Sequence, residues 1–122
     1  MKKLDFDISK LSEYREDNCL EVKKATKGLP NSIWETYSSF ANSEGGLIVL
    51  GVEEDKNHQL HITGVNNPEE LIRDFWNTIN NQQKISLNIL TDKMVSVQTV
   101  EDKQIIVIEV PRAEREMRPV YV

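Results

Sequence analysis

"FANSEGGLIVLGVEEDKN" (residues 40–57) decides how the rest of the chain folds. It joins the apolar tail of a helical pattern to two glycines, then to an apolar run, then to three successive acids. Glycine takes a left-handed backbone without a Cβ penalty, so Gly45 and Gly46 read as a helix stop. "GLIVLGV" (46–52) is apolar on both faces, the pattern of a central strand covered from both sides. "EEDKNHQ" (53–59) is rich in turn formers and "LHITGV" (60–65) alternates, which predicts a hairpin.

Upstream of the diglycine, Ile33, Trp34, Tyr37, Phe40 and Ala41 recur at helical spacing and form one broad apolar face. Pro30 and Asn31 mark the entrance, so the pattern predicts a helix over 31–43 with Asn31 as its N-cap. "NCLEVKKA" (18–25) sets Leu20 and Val22 against Glu21 and Lys23, the period-two signature of a half-buried strand. Residues 1–17 are polar with scattered apolar positions and read as an extended arm or a short turn of helix.

Downstream, "NNPEEL" offers Asn67 as a cap, Pro68 at the first helical position, and Glu69 and Glu70 near the positive end of the dipole. Leu71, Ile72, Phe75, Trp76 and Ile79 give that second helix, 68–81, its apolar face. "ISLNIL" (85–90), "MVSVQTV" (94–100) and "QIIVIEV" (104–110) read as three more strands, the last two joined by the short turn "EDK". The order β-α-β-β-α-β-β-β predicts an α+β fold, a single mixed sheet packed with two helices.

Composition bounds the function. A chain of 122 residues is expected to form one domain, 1–122. No apolar run approaches the length of a membrane span, and no apolar segment follows the two N-terminal lysines as in a signal peptide. The single cysteine, Cys19, excludes an internal disulfide and fits a reducing cytoplasm. With His58 and His61 it still falls short of a structural zinc set. A net charge of −5 repels a phosphate backbone overall, so nucleic-acid binding requires a local basic patch. Lys23, Lys24 and Lys27 form one such group, and Arg112, Arg115 and Arg118 another that is interleaved with Glu114 and Glu116. Phosphate-loop, dinucleotide and nucleophile-elbow motifs are all missing from the sequence.

Carboxylates are hard oxygen ligands suited to Mg²⁺ or Mn²⁺, and two or three that converge can hold a metal for phosphodiester hydrolysis. Spacing alone does not establish convergence among 20 acids. The pattern E-x4-E-x-K at Glu16, Glu21 and Lys23, followed by "LPNSIWETYSSFANSEGGLIVLGVEED", "ITGV" and "RPVYV", resembles the Schlafen AlbA-like domain over about residues 13–122. The block FAN-x-x-GG-x-I-x-x-GV-x-[DE] is the most specific part of that resemblance.

The resemblance implies a DNA-binding module of the kind found in bacterial transcriptional regulators. It also implies an alternative. In animal Schlafen proteins paired modules bind and cut transfer RNA with three acids and a divalent metal, which fall here on Glu16, Glu21 and Glu54. Glu54 stands where the nucleases usually have Asp, Val22 where the family is often aromatic, and the Schlafen zinc site has no counterpart. The chain ends where relatives usually continue, which is expected of an N-terminal fragment of a longer protein.

The first reading is therefore a cytoplasmic nucleic-acid-binding domain that requires no cofactor. Lys23, Lys24 and Lys27 would meet phosphates of DNA or RNA, weakly in this fragment, with Asn42 and Ser43 as polar contacts beside the diglycine. The alternatives are a metal-dependent endoribonuclease using Glu16, Glu21 and Glu54 with Mg²⁺ or Mn²⁺, and a protein-interaction or dimerisation module, compatible with a homo-oligomer.

Overall fold

The computed structural model describes residues 20–25, 28–57, 59–81, 94–100 and 102–113. The elements are β1 (Leu20–Lys23), α1 (Ile33–Ala41), β2 (Gly46–Leu50), β3 (Val52–Glu54), β4 (Leu60–Ile62), α2 (Pro68–Ile79), β5 (Val95–Val100) and β6 (Lys103–Val110). The fold is α+β. The arm at 1–17 and the strand expected at 85–90 lie outside the described residues.

A four-stranded mixed sheet runs in the order β1-β2-β6-β5. β1 pairs with β2 in parallel, Glu21 beside Ile48 and Lys23 beside Leu50. β2–β6 and β6–β5 are antiparallel. The apolar run 47–50 is buried along its whole length, as an interior strand should be. Its two faces serve two cores. Ile48 and Leu50, with Ile106, Ile108 and Val110 of β6, pack on the helices. Leu47 and Val49, with Ile105 and Val107, form the opposite core with Val52. Each fully buried side chain of this size stabilises the fold by roughly 1.5–3 kcal/mol, which explains why the sequence carries aliphatics on both faces here.

The single sheet expected from the sequence divides in two, because Gly51 interrupts the run. Its φ of 99° lies in the left-handed region and turns the chain out of the main sheet. β3 and β4 then form a separate two-stranded sheet. The Gly51 N–H donates to the Lys23 carbonyl (2.9 Å), and its own carbonyl accepts from Thr63 and Gly64 (2.8 and 2.9 Å). The junction is thus hydrogen-bonded on both sides.

The helices carry the expected faces. α1 buries Ile33, Trp34, Tyr37, Phe40 and Ala41. α2 buries Leu71, Phe75 and Ile79. Trp34 stacks on Phe75 with centroids 5.2 Å apart, which joins the two helices, and within α2 Trp76 meets Phe75 edge-on at 5.6 Å. Asn67 caps α2 by accepting from the Glu70 N–H at 3.2 Å, and its amide donates back to the Glu70 carboxylate at 3.2 Å. α1 departs from expectation, since Ser32 rather than Asn31 is its N-cap residue and makes no side-chain cap bond. The first helical N–H groups go instead to the carbonyls of Pro30 and Asn31. At the other end Gly45, at φ 81°, donates to the Phe40 carbonyl at 2.8 Å and stops the helix.

Candidate functional site

β1 is an edge of the main sheet among the described residues, and its alternation sends unlike side chains to the two faces. Leu20 and Val22 pack against the core of Leu47, Val49 and Val52, on the face away from the helices. Glu21 and Lys23 therefore share the helix-side face. Lys23 is not a free cation. Its side chain is only 12% exposed, its Nζ donates to Ser32 Oγ at 3.0 Å, and it lies 3.8 Å from Glu21 Oε1. Lys24, next along the chain, is exposed. The structure thus presents one held ammonium and one open one at the C-terminal end of β1, beside the first turn of α1.

Asn42 and Ser43 sit at the opposite end of that helix. The nine residues of α1 separate the two ends by about 13 Å along the axis. Asn42 Nδ2 donates to Ser38 Oγ at 3.3 Å, and the Ser43 hydroxyl turns back to the Ser39 carbonyl at 2.7 Å. Both side chains complete the helix terminus, so the structure does not gather them with the lysines. Lys27 lies outside the described residues.

Two of the three acids fall among the described residues. Glu21 stands 48% exposed on β1 of the main sheet. Glu54 is exposed at the end of β3 in the second sheet, in register with Leu60. Glu16 lies outside the described residues, and among the described residues no group of three His, Cys, Asp or Glu side chains could hold a metal ion. A cleft of about 240 Å³ opens between the segment after β1 (Ala25, Gly28) and the start of α2. Its α2 wall carries Asn66, Asn67, Glu70 and Asp74, so phosphates would be repelled from it.

A polar device that the sequence reading overlooked closes the β3–β4 hairpin. Asp55 Oδ1 accepts the N–H groups of Asn57 (2.8 Å) and Gln59 (2.9 Å), while Oδ2 meets His61 Nε2 at 2.6 Å. These bonds favour the ionised carboxylate, and the His61 bond is the largest cause of the lowered Asp55 pKa. A carboxylate whose folded pKa is depressed contributes stability above its unfolded value of about 3.9, and that contribution is lost as pH falls through the folded value. The amide resonances of Asn57 and Gln59 should therefore titrate together, below the ordinary aspartate range. Asp55→Asn should abolish that shared transition in an NMR pH series.

No helix among the described residues is long and apolar enough to cross a membrane. The solved structures include the N-terminal domain of an ATP-dependent DNA helicase RecG-related protein from Nitrosomonas europaea. It is 22% identical with a TM-score of 0.73, over 93% of this chain and 75% of that one. The DIP2311 protein from Corynebacterium diphtheriae is 16% identical with a TM-score of 0.55, over 92% of this chain but 23% of that one. Both likenesses concern the fold. No curated protein matches the sequence. The Schlafen, AlbA_2 sequence profile matches residues 16–121, taking in β1, the diglycine and all the strands that carry the two cores. The chain belongs to the Schlafen, AlbA_2 family.

Proposed function

We propose that this domain binds nucleic acid through phosphate contacts at the C-terminal end of β1, as the DNA-binding part of a bacterial transcriptional regulator. The observation that carries the reading is the pairing of an exposed Lys24 with a Lys23 ammonium fixed beside the start of α1. Membership of the Schlafen, AlbA_2 family supports it, as does the likeness to a domain of a helicase-related protein. Phosphate contacts of this kind fix orientation and carry no sequence information. The cleft at α2 and the exposed Glu53 and Glu54 of β3 are poorly suited to a polyanion.

Few cations are available, so the salt dependence should be shallow for a nucleic-acid binder. Two to four phosphates correspond to a slope of roughly −2 to −4 in log K against log salt. Affinity for a generic DNA duplex should therefore fall by roughly fifteenfold to two-hundred-and-fiftyfold between about 50 and about 200 mM salt. Fluorescence anisotropy with a duplex and with an RNA hairpin measures this directly. Affinity indifferent to salt would sink the phosphate-contact reading and favour a protein-interaction module.

A further inference from the structure

Ser32 carries the pattern of a helix-capping residue and does not cap. It opens the sequence Ser-x-x-Glu with Glu35 in the first turn, the arrangement in which a serine hydroxyl ordinarily accepts an N–H of its own helix. Here its hydroxyl makes no such bond and accepts the Lys23 ammonium at 3.0 Å. The competing partner for that ammonium is Glu21, whose carboxylate is longer at 3.8 Å and half exposed. A serine nine residues from the lysine has thus been taken from a local task and given a long-range one. The Ile33 and Trp34 N–H groups of α1 go to the Pro30 and Asn31 carbonyls rather than to the hydroxyl.

We infer that Ser32 is a positioning residue for Lys23: its hydroxyl holds the ammonium at the entrance of α1 and away from full pairing with Glu21, keeping the charge available to a phosphate. This rests on the nucleic-acid reading above. A lysine pairs most strongly with a carboxylate that it reaches at hydrogen-bond distance, and such pairing cancels the charge that a phosphate would meet. A neutral hydroxyl holds the ammonium without cancelling it. Without Ser32, the nearest acceptor among the partners described is Glu21.

The test uses the whole chain and two independent readouts. Binding of a fluorescent DNA duplex at low salt is compared for the native domain, Ser32→Ala, Ser32→Thr and Ser32→Ala combined with Lys23→Met. In parallel, the rate of acetylation at Lys23 relative to Lys24 is followed by mass spectrometry with limiting acetic anhydride. Ser32→Ala should weaken binding about threefold to tenfold with only a small fall in melting temperature, since the Lys23 bond is lost but no cap bond is. Ser32→Thr should restore it, and in the Lys23→Met background Ser32→Ala should change nothing further. Loss of the hydroxyl should also change the Lys23 acetylation ratio, which threonine should return towards native. Equal affinity for the alanine variant, or an equal loss with Lys23 already removed, would overturn the positioning role. If the native domain binds no duplex at all, the functional reading fails, and the affinity role of Ser32 with it. The acetylation ratio then decides separately whether Ser32 holds Lys23, and an unchanged ratio would overturn that as well.

Discussion

Gly45→Ala should destabilise the domain by about 2–4 kcal/mol, a large share of the roughly 5–15 kcal/mol that separates a small domain from its unfolded state. Two costs combine. The backbone stands at φ 81°, where an alanine is strained by about 1–2 kcal/mol. The added Cβ would also lie 2.7 Å from the Val110 carbonyl oxygen and 3.0 Å from the Arg112 nitrogen. Both are backbone atoms, so no side-chain rotation relieves them. To make room, the end of β6 must move away, straining the Gly46–Val110 pairing and the Ala113 N–H bond to the Ala41 carbonyl. Gly28→Ala is the control, because Gly28 has a φ of 115° but nothing within 4 Å of the added carbon. Urea unfolding of both variants separates strain from collision. Gly45→Ala should lose at least twice what Gly28→Ala loses, and equal losses would show that the close approach to β6 is not what the glycine serves.

That glycine illustrates which parts of the fold were legible. A helix stop before a two-faced apolar strand is local chemistry, and so are the Asn67 cap and Pro68 at the start of α2; each could be read from a few adjacent residues. What decided Gly51 was not local. A glycine inside an apolar run is compatible with a continuous strand, whereas here it turns left-handed where Val65, Gly64 and Ile105 leave little room for a Cβ. The missing cap bond at the start of α1 is likewise not local. Ser32 is engaged by Lys23 on another element, a contact with no signature in the residues around it. In the site, the lysines were legible as charge, but the 12% exposure of Lys23 was not. Asn42 and Ser43 adjoin the diglycine in sequence, yet the length of α1 carries them to the far end from the lysines. The Asp55–His61 pair becomes readable only once the hairpin register sets Glu53 beside His61 and closes the turn on Asp55.

The second large effect expected is on binding. Lys23→Glu combined with Lys24→Glu should lower affinity for a DNA duplex by at least about tenfold at low salt and flatten the salt slope by about two. The two substitutions act differently, and their separate effects locate the contact. Lys24 is exposed, so its reversal removes an open cation and should leave the melting temperature near native. Lys23→Glu removes the bond to Ser32 and sets a second carboxylate on the same face of β1 as Glu21, so it should cost some stability as well. Reversing any charge on a protein of net charge −5 also raises its overall repulsion for a polyanion, and that general effect must be subtracted. Arg112→Glu provides the correction. Arg112 is exposed and follows β6 beside Gly45, at the end of α1 remote from Lys23, and it belongs to the other basic cluster of the chain. A phosphate site at β1 predicts a loss of about twofold or less for Arg112→Glu, against a several-fold loss for Lys24→Glu alone. Equal losses would mean that the duplex responds to net charge, and a larger loss at Arg112 would move the interface to the far end of α1. Each pattern is distinct because α1 holds Lys23 and Arg112 apart, Lys23 beside its first turn and Arg112 beside the glycine that ends it.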